Sequence, residues 1–303
     1  MDSICCLLDA CTVINLIHIE EDDFLLKKLK KLDIHINDLV FTEIKNNVYV
    51  KPRRDFDNKY VDKREWTETK KTIEQKLTFY RGKKNDNQDI LNDFGNDYFE
   101  KVKDLTNYKK RLNGELYSTG HALYLSRNDY KNVSFYTDDY PAKDDFSDFF
   151  QYQQIGQIKD SVDLLILLYR LDENFTDLQL KKLLNNLYSE YVTDVIFLKK
   201  KLQNFVNKKV DAEFIRSKKE IALKLSELIR RLDNLEFEKI KEFYFYFATN
   251  KVRCKDLYEI IQKYTSVFEL NNDSNSDSLL SKIKKVSYNI GKIKILKLED
   301  LMV

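Results

Sequence analysis

The chain has 303 residues, 34% charged and 43% hydrophobic, with 52 Lys and Arg against 50 Asp and Glu. That is a globular composition, long enough to bury one large core or two smaller ones. A formal charge of +2 excludes a strong overall pull toward nucleic acid or membrane, so any such pull must come from local patches.

In chain order, Ile4–Leu8 reads as a short buried strand, followed by a helix with Val13, Ile14, Leu16 and Ile17 on its inner side. A second helix fits Asp22–Leu32, with Phe24, Leu25, Leu29 and Leu32 at helical spacing. A second strand is expected around Leu39–Thr42, with a helix beginning near Glu43. Residues 50–112 are charge-rich and only patchily periodic, as expected of helices inserted into a compact core. "NGELYSTGHALYLSRN" predicts a helix starting just after Gly114, "NVSFYTDD" a third strand, and "IGQIKDSVDLLILLYRL" a strand around Ile155–Ile158 and an apolar helix. This alternation predicts an α/β class, a central parallel sheet with helices on both faces, over residues 1–172.

Residues 173–303 are expected to form a mainly α-helical second domain. Leu171–Leu198 and Phe205–Leu232 read as successive amphipathic helices, and "FYFYFAT" as an aromatic helix buried on nearly every side. "ELNNDSNSDSLL" has the composition of a linker, and the alternation after about residue 279 predicts a terminal β-hairpin or edge strand.

The apolar runs fall short of the ~20 residues of a membrane span. The N-terminus lacks the basic start and cleavage site of a secretory signal, so the cytoplasm is the expected location. Cys5, Cys6, Cys11 and Cys254 show no CxxC pair and no Cys/His ligand spacing. They are expected to be reduced, buried thiols rather than a zinc site.

Carboxylates recur in one context. Asp9 follows "CCLL", Glu43 follows "LVFT", Glu115 opens an apolar helix, and Asp138 and Asp139 follow "VSFYT". In a parallel α/β sheet these positions fall at the carboxyl ends of the strands, where such folds place their sites. Singly, an Asp at a strand end or a Glu at a helix start has ordinary structural reasons. Together they would repel, and a hard divalent cation is the cheapest relief. No phosphate-cradling glycine loop and no nucleophilic Ser or Cys motif competes with them. His121, inside an apolar helix, reads as a packed core residue, and His18 and His35 carry no argument.

The ordered set "LLDACTVINL", "LVFTEI", "GELYSTGHALYLS" and "VSFYTDDYPAK" resembles the PIN-domain nucleases over about residues 1–50 and 112–172. "IGQIKDSVDLLILLYR" resembles the end of a subgroup that includes toxin ribonucleases of toxin–antitoxin pairs. The resemblance implies a PIN-like three-layer α/β/α fold. It also implies a Mg²⁺ or Mn²⁺ site on Asp9, Glu43, Glu115 and Asp138 or Asp139, and hydrolysis of RNA by a toxin or defence effector. An inhibitory protein partner and a homodimer are further implications. Cys11 stands where that family usually has Ser, Thr or Asn, and neither the long 50–112 stretch nor the helical region after 172 belongs to its minimal toxins. Related folds that cut DNA, or a PIN-like scaffold binding protein through its helical half, are the alternatives.

From Lys45 to Lys84 there are 13 Lys and Arg against 6 Asp and Glu, interleaved with Phe56, Tyr60, Trp66, Phe79 and Tyr80. Basic side chains neutralise phosphates and aromatics stack on unpaired bases. Arg53, Arg54, Lys63 and Arg64 are therefore the expected RNA contacts, against the plainer reading of a solvated helical face. The basic excess from Asp194 to Leu232 reads better as the wet side of a bundle.

Overall fold

The computed structural model describes residues 4–20, 22–57, 61–106, 108, 113–129, 131–234, 236–237, 239–268 and 279–293. The first strand, β1 (Cys5–Leu8), is buried at every position. It runs into α1 (Ala10–Ile19) and then α2 (Phe24–Leu29). The second strand is β2 (Asp33–Asn37), earlier than the expected Leu39–Thr42. Asn37 explains the difference. Its side chain accepts a hydrogen bond from the Leu39 N–H at 3.0 Å and so caps α3 (Asp38–Asn47) at once. Val40, Phe41 and Ile44 then bury one helical face. Glu43 consequently sits in the second turn of α3 rather than at a helix start.

The expected inserted helices are α4 (Val50–Asp57), α5 (Lys63–Arg81), α6 (Asn87–Phe94) and α7 (Tyr98–Asp104), with a two-residue strand β3 (Lys84–Asn85) among them. They are followed by α8 (Gly114–Asn128), β4 (Val133–Tyr136), α9 (Tyr140–Tyr152), β5 (Gly156–Lys159) and α10 (Ser161–Leu171). The sheet has five strands in the order β3-β2-β1-β4-β5, all parallel. Cys5, Leu7, Val133 and Phe135 join a core with Phe99, Leu116, Ala122, Leu125, Phe146 and Phe150. The alternate residues Cys6, Leu8, Ile34, Ile36 and Tyr136 are equally buried. Since successive strand residues face opposite ways, both faces of the sheet are covered, as the α/β class requires.

Glycine is required where β5 begins. Gly156 has φ +144°, and a Cβ there would lie 2.1 Å from the Val133 carbonyl oxygen. Only the absence of a side chain lets β5 lie against β4.

The chain divides into two compact units, residues 1–183 with 290–303, and residues 184–289. The helices after α10 depart from the sequence reading in three places. One continuous helix, α11 (Asp177–Lys209), replaces the expected break near residue 200, because nothing between Leu198 and Phe205 stops a helix. The break comes at Asp211, whose carboxylate accepts from the Phe214 N–H at 2.8 Å and caps α12 (Ala212–Ser217). The amphipathic α13 (Lys219–Asn234) follows, burying Ile221, Leu225, Leu228 and Leu232. The aromatic helix, α14 (Ile240–Thr249), buries Ile240, Phe243 and Phe247 but leaves Phe245 55% exposed, so it is not buried all round. After α15 (Lys255–Gln262) and α16 (Thr265–Phe268), the linker signal at 269–278 lies outside the described residues. Residues 279–293 form α17 (Leu279–Tyr288) and α18 (Ile290–Ile293) in place of the expected hairpin, and 294–303 lie outside the described residues. Among the described residues, no helix is long and apolar enough to cross a membrane.

Candidate functional site

The strand order fixes where side chains gather. The chain leaves β1 toward β2 on one side and returns, after β3, to β4 on the other. The carboxyl ends of β1 and β4 therefore flank the topological switch point, where open parallel sheets form their crevice. Asp9 follows β1 directly, and Thr137, Asp138 and Asp139 follow β4. The Asp9 N–H donates to the Tyr136 carbonyl at 3.0 Å, extending the ladder by one residue. Thr12 Oγ1 donates to the same carbonyl at 3.0 Å.

Asp9 is 6% exposed and bonded by its neighbours. Thr137 Oγ1 donates to Asp9 Oδ2 at 2.9 Å, and Cys11 Sγ donates to the same oxygen at 3.1 Å. Burial raises the Asp9 carboxyl above the usual carboxylate range. Hydrogen bonds from Cys11, the Ala10 backbone and Thr137 pull it part of the way back, while repulsion from Glu115 adds to the rise. Cys11 thus supplies Asp9 with a hydrogen-bond donor two residues along the chain. Burial, with Asp9 and Asp138 beside it, raises its thiol well above the ordinary value, so it keeps its proton and stays a donor. The Asp138 N–H in turn donates to Cys11 Sγ at 3.2 Å.

Asp138 is held by three donors. Ser161 N–H reaches its Oδ1 at 2.8 Å, and Ser161 Oγ and Asn15 Nδ2 reach its Oδ2 at 2.6 and 2.8 Å. One carboxylate thereby ties α1, the turn after β4 and the start of α10. Asp139 occupies the N-cap position of α9, and its N–H donates to Thr137 Oγ1 at 3.1 Å. Sequence reasoning missed Asn15, Thr137 and Ser161; the "TDD" turn was the signal for Thr137, whereas Asn15 and Ser161 carried none.

Glu115 lies in the first turn of α8, which Asn113 caps by accepting from the Leu116 N–H at 3.3 Å. Its Oε2 accepts from Tyr108 Oη at 3.2 Å. Glu43 comes to the same place from α3, which packs on α8. A Cβ on Gly114 would lie 3.2 Å from both Glu43 Oε2 and Val40 Cγ2, so glycine admits the exposed Glu43 carboxylate against the start of α8. The fold therefore groups Asp9, Glu115 and Glu43 around the start of α8, with Thr137 linking Asp9 to the Asp138–Asp139 turn. Among the described residues, no three of these carboxylates bring their oxygens within 4.8 Å of one another; Cys5, Asp33 and His35 do.

The basic stretch is more mixed than its composition implies. Arg53 and Arg64 are 73% and 87% exposed, on α4 and α5, each beside an acidic residue one turn on. Lys63 is also exposed. Arg54 is only 18% exposed and lies 3.8 Å from Asp55, which suits a packing role better than a phosphate contact. Lys76 is buried and donates to the Ile17 and Glu20 carbonyls at 2.9 and 3.0 Å, closing the end of α1. Phe56 and Trp66 stack on each other at 5.6 Å, and Tyr80 is fully buried.

All four cysteines are free, and burial, with Asp33 beside it, pushes the Cys5 thiol up to about 12. Compared with protein-family models, with curated proteins and with solved structures, the chain finds no match.

Proposed function

We propose that the protein is a metal-dependent endoribonuclease with a PIN-like nuclease domain, its site at the carboxyl edge of the sheet. The observation that carries this reading is the convergence at the switch point. Asp9 is buried, its carboxyl is raised, and Glu115 repels it. Burying Asp9 near a half-buried Glu115 that repels it costs stability, a cost that a bound cation or a proton would offset. The donors fit Mg²⁺ or Mn²⁺, which take carboxylate oxygens and keep several waters. Such an ion would keep waters in the positions that these carboxylates do not reach. Asp9, Glu115, Glu43 and Asp139 would hold the ion, with Asp138 fixing the turn. When bound, it would supply a Lewis acid and an acidified water for attack on a phosphodiester.

The chain's own groups perform the remaining work. Cys11 and Thr137 orient Asp9, and Tyr108 orients Glu115. Arg53, Lys63 and Arg64 offer exposed charge on helices that follow α3 directly, where they would contact RNA phosphates. The test is a substrate panel: labelled single-stranded RNA, single-stranded DNA and duplex DNA, each with Mn²⁺ or with EDTA. RNA cleavage abolished by EDTA is expected. Cleavage that ignores EDTA would sink the mechanism, and cleavage of DNA alone would move the substrate assignment to a DNA nuclease.

A further inference from the structure

The opposite edge of the same sheet carries a second cluster. Cys5 and Asp33 are register partners on β1 and β2, and His35 is two residues further along β2. Side chains two apart on a strand share a face, so all three point to one side. Their ligand atoms lie within 4.8 Å of one another. We propose that Cys5 Sγ, the Asp33 carboxylate and His35 Nε2 form a binding site for Zn²⁺ or a similar borderline-soft divalent cation.

Four observations favour a cation over a self-contained cluster. His35 Nδ1 lies 3.1 Å from Asn85 Oδ1; in the tautomer that carries its proton on Nδ1, Nε2 keeps a lone pair for a cation. A partner on the far nitrogen is how metal-binding imidazoles are oriented. His35 Nε2 is buried and faces Asp33 Oδ1 at 3.1 Å, so two of the three donor groups already converge. Behind it, His121 packs edge-on at 5.9 Å between ring centroids, is 2% exposed, and its Nδ1 also has no hydrogen-bond partner among the described residues. One imidazole nitrogen is thus buried without a bond and a second meets only the Asp33 carboxylate, in a region where polar groups are normally satisfied.

Charge and donor type agree. One thiolate and one carboxylate neutralise a divalent ion, and the Cys5 proton leaves to solvent on binding. Lys131 is already balanced, reaching Asp33 Oδ2 at 2.9 Å and Asp129 at 3.1 Å, which leaves Asp33 Oδ1 for the ion. Sulfur, nitrogen and oxygen donors together suit Zn²⁺ rather than Mg²⁺. Three protein ligands leave a fourth position for water, on the side where Asp33 is 27% exposed. The site is built by strand register and not by spacing along the chain, which is why the absence of a Cys/His spacing motif did not exclude it.

The test uses the full-length chain, stripped with chelator and titrated with Zn²⁺ and with Co²⁺ as a spectroscopic probe. One equivalent of Zn²⁺ is expected, with a raised unfolding temperature and a thiolate-to-Co²⁺ charge-transfer band. Because Cys11 lies beside Asp9, the source of the band must be assigned. It should vanish in Cys5→Ser and persist in Cys11→Ser, and His35→Gln should weaken binding by about 10²-fold. The inference is overturned if the folded wild-type chain gives no thiolate band, or if the band survives Cys5→Ser. Should Cys5→Ser fail to fold, His35→Gln decides, and unchanged Zn²⁺ affinity in that variant overturns the site.

Discussion

At the carboxyl edge of the sheet, Asp9, Glu115 and the Asp138–Asp139 turn present carboxylates from strand ends and a helix start more than 100 residues apart, and Glu43 joins them from the second turn of α3. At the amino edge, strands β1 and β2 present a thiol, a carboxylate and an imidazole, brought together by register alone. The first set suits hard cations that keep their water, and the second suits zinc. The difference teaches how position decides chemistry in a parallel sheet. Chain crossovers open a crevice at the carboxyl edge, where groups remote in sequence meet. At the amino edge only directly paired residues can cooperate.

The comparison is sharpened first at Glu115. Glu115→Gln removes both a proposed cation ligand and the repulsion on Asp9, and should lower RNA cleavage by about 10²-fold, measured by single-turnover kinetics. Zn²⁺ binding at the amino edge should not change in this variant, and a change there would break the independence of the two sites.

Effects of pH on folding must be separated from effects on either site, and Glu20 is the group to test. Burial raises its carboxyl from the ordinary 4.5 to about 7. The folded state therefore holds the proton longer than the unfolded one, and stability falls as pH rises from about 4.5 to 7, by about 3 kcal/mol. Glu20→Gln should flatten that slope in urea unfolding measured across the window; an unchanged slope would place the titration elsewhere.

At the carboxyl edge, Asp138→Ala removes the acceptor for Ser161 and Asn15 and should cost about 1–3 kcal/mol of stability, read by thermal unfolding. A loss of activity without any loss of stability would instead make Asp138 a direct ligand. The smallest effect belongs to Cys11. Cys11→Ser keeps a donor to Asp9 and should hold activity within about threefold, whereas Cys11→Ala should lose about tenfold.

Much of this architecture was legible in the residues. The "CCLL" and "VSFY" runs read as buried strands because continuous apolar tracts suit a sheet covered on both faces. Asp9, Glu115 and the Asp138–Asp139 turn were legible because they followed such a tract or opened a helix, whereas Glu43 was placed at a helix start and lies in the second turn of α3. Leu39–Thr42 misled because a β-branched, aromatic run also serves as the inner face of a helix, and the Asn37 cap decided between the two. His35 and Asp33 were invisible as ligands because register across a parallel pair leaves no spacing signature in one chain. Arg54 read as surface charge because composition does not say which way a helix turns; its side chain is only 18% exposed.

The central claim rests on Asp9. The most direct measurement is single-turnover cleavage of labelled RNA by wild-type protein and by Asp9→Asn in Mn²⁺, with folding of both checked by circular dichroism. Wild-type cleavage falling by about 10²-fold or more in a folded Asp9→Asn variant is expected. A folded Asp9→Asn variant that cuts RNA at the wild-type rate would contradict the assignment of the carboxyl edge as the catalytic site.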